Sequence, residues 1–229
     1  MSEDEINGDP FAISEDLVQS PVHKQATTNS FDFDGLLSKP LKLHEDLAGG
    51  NGGQAWPAGR ILAKYILQRR RDDVKDKTIV ELGAGGGLVG LAVALGCELE
   101  NVVHITDLEQ MQALMHRNIE LNGLEGKVKA SLYDWGSERP AAVPAHPDVI
   151  LAADCVYFEP AFPLLQQTLL NLIGPTTVCY FCFKRRRRAD MQFLKTAKKL
   201  FTITDITDDP DRETYSRENM FLCEIRRKS

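Results

Sequence analysis

The sequence predicts an α/β protein: a seven-stranded, mostly parallel sheet ending in an antiparallel hairpin, with helices on both faces and a short β-hairpin near the N-terminus. Three observations predict it. From Thr78 onward, short apolar runs rich in branched residues alternate with amphipathic stretches, the pattern of a parallel sheet covered by helices. The first run, Ile79-Val-Glu-Leu, passes directly into Gly83-Ala-Gly-Gly-Gly and then into a helical pattern. The last two runs are separated only by the polar stretch Asp208 to Arg217, which makes them antiparallel neighbours.

The elements follow in chain order. The opening 27 or so residues are acidic and lack periodic apolar positions, so residues 1–30 read as a disordered tail and 31–229 as one folded domain. Phe31 and Phe33, then Leu41 and Leu43, alternate with polar residues on either side of Gly35 to Pro40, predicting the N-terminal hairpin. Ala48 to Gly53 is a glycine-rich loop. Pro57 suits a helix start, and Ile61, Leu62, Tyr65 and Ile66 give that helix one apolar face through about Arg70. Strands are expected near 78–82, 101–106, 127–132, 148–153, 176–183, 201–207 and 219–226, and helices near 87–96, 109–122, 161–173 and 187–199.

Composition narrows the function. The net charge of -6 comes mostly from residues 1 to 30, which hold six acids and one base; the remainder has 27 acids against 26 bases. A near-neutral body argues against a dedicated nucleic-acid binder. Five cysteines, mostly in apolar runs, with no secretory signal, point to a reduced, intracellular, cytoplasmic protein. Cys179-x-x-Cys182 falls on an expected strand, where positions three apart face opposite ways, so no metal or redox pair is expected. No apolar run is long enough to cross a bilayer, so no membrane partner is expected.

In such a sheet, ligands bind beyond the carboxyl ends of the strands, near the point where strand order reverses. The first four of these strands each end in residues suited to that place. Glu81 with Gly83, Ala84 and Gly85 forms a backbone cradle ahead of a helix N-terminus. Asp107 can accept from ribose hydroxyls, or cap the next helix. Asp134 and Trp135 can meet a purine's amine and face, although Trp135 can equally fill core. Ala153-Asp154-Cys-Val-Tyr157 closes the ring, with helix capping by Asp154 and ordinary packing of Tyr157 as the plainer alternatives. Gly85-x-Gly87-x-x-Gly90 also fits the dinucleotide pattern, which keeps an NAD-dependent oxidoreductase open, as well as a non-catalytic cofactor-binding scaffold.

Glu81-Leu-Gly-Ala-Gly with Asp107 resembles the glycine loop and ribose acid of class I, seven-strand, Rossmann-like S-adenosylmethionine-dependent methyltransferases. Trp56-Pro-Ala-Gly, Asp134-Trp-Gly and Asp154-Cys-Val-Tyr157 extend the resemblance to the methyltransferase-like 21 group, or methyltransferase family 16, of protein lysine methyltransferases, over about residues 31 to 229. Phe181-Cys-Phe-Lys-Arg-Arg-Arg-Arg and the short chain look most like a fungal branch acting on a translation elongation factor. The resemblance implies S-adenosyl-L-methionine as cofactor, a protein substrate and a monomer. It further implies Trp56, Glu81, Gly83, Ala84, Gly85, Asp107, Asp134, Trp135 and Ala153 at the cofactor, with Asp154 and Tyr157 catalytic. Methyltransferases of planar amines and amides resemble one another in two prolines after strand four; both are missing here, which fits a flexible lysine amine. Lys184 to Arg188 reads either as a solvated helix start or as a docking patch for an acidic substrate surface or a ribosomal or tRNA-bound target, because five cations there oppose the helix dipole.

Overall fold

In the computed structural model, the structure describes residues 25–228. Nine strands and six α-helices are found among them. The N-terminal hairpin pairs β1 (Thr27–Phe31) with β2 (Leu41–Glu45). Helix α1 (Pro57–Tyr65) starts on the expected proline and continues as one wider turn over Ile66–Arg70. Then come β3 (Ile79–Leu82), α2 (Leu88–Gly96), β4 (Val103–Asp107), α3 (Glu109–Asn122), β5 (Val128–Leu132) and β6 (Val149–Ala153). The chain ends in α4 (Phe162–Leu172), β7 (Val178–Lys184), α5 (Arg188–Leu200), β8 (Phe201–Asp205), α6 (Arg212–Arg217) and β9 (Met220–Arg227).

Strand order in the large sheet is β5-β4-β3-β6-β7-β9-β8. β3 pairs in parallel with both β4 and β6, while β9 runs antiparallel to β7 and β8. The chain therefore winds outward from β3 through β4 to β5, then crosses back to β6 on the other side. That reversal opens a crevice above the carboxyl ends of β3, β4 and β6.

Both sheet faces are covered, so the strands are apolar on both sides. On one face Ile105, Leu151 and Cys182 pack against Leu62 of α1, Leu91 of α2 and Met115 of α3. On the other, Leu82, Ile150 and Cys179 pack with Leu165 and Leu169 of α4 and Phe193 of α5. Cys179 and Cys182 thus belong to opposite cores, and all five cysteines are free thiols.

Two features differ from the sequence expectation. The hairpin begins at Thr27, inside the stretch assigned to the tail; residues 1–24 of that stretch lie outside the described residues. Its first strand is held by polar cross-strand pairs, Thr28 Oγ1 with His44 Nδ1 at 3.1 Å and Asn29 Nδ2 donating to Glu45 Oε1 at 2.6 Å. Such a strand carries no apolar alternation to read. The polar stretch before β9 also contains α6, whose Tyr215 is buried against the core.

The hairpin matters to the site because of how it docks. Asn122 exchanges hydrogen bonds with the backbone of Lys42, and Asn118 with that of His44. Two amides on α3 thereby do the work of a neighbouring strand for β2. Fully buried Asn118 also donates to the Gly86 carbonyl at 2.9 Å, tying the hairpin to the glycine loop.

Candidate active site

Every residue singled out at the strand ends lines one cavity of about 380 Å³. The cradle comes first in its construction. Gly83 and Gly85 both have left-handed backbone, with φ of 61° and 55°. At Gly83 a side chain would meet the Trp135 ring; at Gly85 it would collide with the Gly52 carbonyl. Neither place tolerates a Cβ, and the backbone is left open to the cavity.

Two acids brace this cradle through backbone donors. Glu81 is buried, and its Oε2 accepts from the Gly90 N–H at 2.7 Å. Burial pushes its carboxyl up to about 8, opposed by the Gly90 and Val89 N–H groups, and the Asp107 charge adds to the rise. Asp107 accepts from Gly85 N at Oδ2 and from Leu108 N at Oδ1, each at 2.7 Å. Helix α3 takes Leu108 as its N-cap and has no side-chain cap, so Asp107 locks the glycine loop instead of capping that helix. Burial raises its pKa, against those two N–H bonds.

The walls come from separate elements. Trp135 is half-buried over Gly83 and exposed Asp134 lies beside it, while Tyr133 turns into the core. Trp56, the N-cap of α1, donates from Nε1 to the Asn51 carbonyl at 2.8 Å. Ala153 ends β6 on the same cavity. Sequence reasoning missed Gly49, Asn51 and Gly52, whose short 3-10 turns lay the N-terminal segment against Gly85 and Met111. Their signal was the Gly49-Gly-Asn-Gly-Gly53 run itself.

At the far end sits Asp154, 6% exposed, with a left-handed φ of 55° that few non-glycine residues adopt. Its N–H is held by the Cys182 carbonyl at 2.8 Å. Its carboxylate receives both arms of Arg186, Nη1 to Oδ1 at 2.9 Å and Nη2 to Oδ2 at 2.7 Å. Tyr157 is half-exposed at the rim, its phenol pKa raised by burial and by the nearby Asp107, Cys155 and Asp154.

The basic run is therefore neither simply solvated nor free as a whole. Arg186 turns inward, and Arg187 donates to the Tyr157 carbonyl and to Asp190. Arg185 donates to Asn219 Oδ1 at 2.6 Å and lies over the Phe221 ring. Buried Asp190 accepts from the N–H groups of Arg186 and Arg187, placing a negative charge in the first turn of α5.

A seven-stranded sheet with a terminal antiparallel hairpin, a glycine cradle after its first strand and an acid after its second defines the class I methyltransferase architecture. Aeropyrum pernix fibrillarin, solved with natively bound S-adenosyl-L-methionine, shares that fold with a TM-score of 0.51 at 14% identity, over 66% of this chain and 67% of that one. The sequence matches the lysine methyltransferase family over residues 36–200, and the chain belongs to that family. It is 37% identical to the protein-lysine N-methyltransferase EFM6 of Saccharomyces cerevisiae, over 93% of this chain and 96% of that protein. It is also 36% identical to the EEF1A lysine methyltransferase 3 of Mus musculus, over 60% of this chain and 57% of that protein. The protein is an S-adenosylmethionine-dependent protein-lysine N-methyltransferase.

The oxidoreductase alternative falls with that assignment. Gly90, its third glycine, packs inside: a side chain there would press on Ile105 and on the Glu81 carboxyl. The cavity suits the cofactor on its own terms. It offers a cradle that a Cβ would fill, the acids Glu81, Asp107 and Asp134, and two tryptophans.

Proposed function

We propose that the enzyme methylates a lysine of a translation elongation factor, with Asp154 and Tyr157 at the acceptor end of the cavity. The observation that carries the residue assignment is the meeting of four strand ends around one cavity, with a single buried carboxylate, Asp154, at its Arg186 side. The named activity of the mouse relative supports the substrate class. Gly83, Ala84 and Gly85 cradle the cofactor, Asp107 receives its ribose, and Trp135 with Asp134 receives its purine. Glu81 offers a buried carboxyl to its cationic part, Trp56 closes over it, and Ala153 leaves room beside it.

S-adenosylmethionine supplies an electrophilic methyl group on a sulfonium sulfur. The protein's task is then alignment and exclusion of water. A lysine amine has a pKa of about 10.4 in water and must be neutral to react. Asp154 holds the incoming amine by a hydrogen bond, and Tyr157 walls the channel through which it arrives.

Residues 31–229, with the strand before them, form one catalytic domain that works as a cytoplasmic monomer on protein and not on nucleic acid. Lysine-methylation mass spectrometry of extracts with and without the gene tests the substrate. The expected result is one elongation-factor lysine losing its methyl groups. Label transferred from the cofactor to RNA instead of protein would sink the proposal.

A further inference from the structure

Arg186 was not among the site residues read from the sequence, yet it holds the acceptor-side carboxylate, and any part it plays rests on the role proposed for Asp154. Its guanidinium grips both oxygens of Asp154 and lies 5.5 Å from the centre of the Trp56 ring. A planar fork set against an acid on its edge and an aromatic on its face is well fixed. The backbone beneath it is fixed too, because Arg186 N and Arg187 N both donate to Asp190 Oδ2 at 2.8 Å. Of the five consecutive cations, Arg186 alone lines the cavity.

We propose that Arg186 is a positioning and specificity residue: by pairing with Asp154 it leaves a carboxylate that can orient a neutral lysine amine but does not capture the protonated one. A carboxylate has about four acceptor sites. The fork uses one on each oxygen, and Lys184 N approaches Oδ1 at 3.4 Å. Oδ2 keeps a site for one amine N–H. A lone buried carboxylate would instead form an ion pair with an arriving ammonium and raise its pKa, stabilising the form that has no lone pair to react. With the guanidinium in place the pair is neutral overall, and a second cation beside it meets like charge. The amine therefore leaves its proton in water and enters uncharged.

The surrounding groups do not cancel this. Asp190 lies behind Arg186 and is taken up by two backbone N–H groups and the Arg187 side chain. Tyr157 and Cys155, on the loop after β6, have their pKa values raised by burial and stay neutral. Asp107 is engaged by Gly85 and Leu108. Glu81 lines the same cavity with a carboxyl pushed up to about 8 by burial, but it is held by the Gly90 N–H and its titration is common to wild type and the Arg186 variants. The charge paired with Asp154 is that of Arg186.

The test uses the full chain and two readouts. The protein has two tryptophans, Trp56 and Trp135, and both line the cavity, so intrinsic fluorescence reports on it. With S-adenosylhomocysteine saturating, n-butylamine is titrated as a lysine side-chain mimic from about pH 7 to about pH 10. Wild type should bind more tightly as pH rises. Arg186→Gln should bind about tenfold more tightly than wild type near pH 7 and lose most of the pH dependence. In turnover on the protein substrate, Arg186→Gln should lower both KM and kcat and move the half-maximal pH of kcat up by about one unit. Arg186→Lys keeps the charge without the fork; it should keep the wild-type pH dependence with a lower kcat, and it serves if the Gln variant does not fold. An identical butylamine pH dependence in wild type and Arg186→Gln overturns the proposal. So does a rise in kcat/KM near pH 7 in that variant, which would make Arg186 a plug. A wild type that transfers no methyl group to protein breaks the broader functional reading instead, and leaves the fluorescence result to stand or fall separately.

Discussion

The two ends of the cavity hold their carboxylates by different means. At the glycine cradle, Glu81 and Asp107 are satisfied by backbone N–H groups of Gly90, Gly85 and Leu108. At the other end, proposed above to receive the lysine, Asp154 is satisfied chiefly by the side chain of Arg186. Backbone donors cannot leave without unfolding the loop, and they carry no net charge. A guanidinium can be exchanged by mutation, carries a full charge, and is reached from 32 residues away in sequence. The first arrangement makes acids part of a rigid cradle; the second pairs an acid with a full positive charge, which on our proposal sets the charge that an incoming lysine meets.

The strongest way to sharpen this contrast is Asp154→Asn, because asparagine tolerates the left-handed backbone at that position. Methyl transfer should fall by about a thousandfold, roughly 4 kcal/mol in the barrier. Calorimetric affinity for S-adenosylhomocysteine should stay within about threefold of wild type. Loss of cofactor binding along with turnover would erase the distinction between the two ends.

Gly85→Ala strikes the cradle. Its Cβ would meet the Gly52 carbonyl while the backbone stays at positive φ, which should cost about 3 kcal/mol of stability and at least about tenfold in cofactor affinity. Chemical denaturation and calorimetry read both effects. A variant of wild-type stability would show that the N-terminal wall is not pressed against the cradle.

Glu81 predicts a pH dependence. Its folded pKa of about 8 lies above its ordinary 4.5, so the unfolded chain gives up this proton first. The stabilising contribution is complete below pH about 4.5 and is lost as pH rises through about 8. Unfolding free energy of cofactor-free protein should therefore decline from pH 5 to 8, and Glu81→Gln should flatten that decline by on the order of 4 kcal/mol. A parallel decline in the variant would remove Glu81 as its source.

The smallest effect belongs to the outer part of the basic run. Arg187 is half-exposed, so Arg187→Ala should change stability by less than about 0.5 kcal/mol. A large loss of turnover in this variant, comparable to the loss at Arg186, would mean that the run works as one patch and not through its inward-facing member.

Legibility in the sequence divides along the same line. The cradle was legible because its parts are local: a strand, its terminal acid and the glycines lie within a dozen residues, and periodicity alone places them. Asp154 was legible from its place after the fourth of the parallel strands. Arg186 was not, since a run of five cations gives no hint of which one turns inward. The hairpin's first strand escaped notice because polar pairs, not apolar alternation, hold it.

By itself, then, the sequence determined the alternation of strands and helices, the glycine cradle and the acids at the strand ends, because each depends on backbone preference and burial over short spans. Tertiary structure decided which neighbours those acids have. Asn118 joins β2 to the glycine loop, Gly52 seats on Gly85, and Arg186, just past β7, reaches Asp154, just past the neighbouring β6. These are contacts between distant segments, and their partners are set only once the chain has folded around β3.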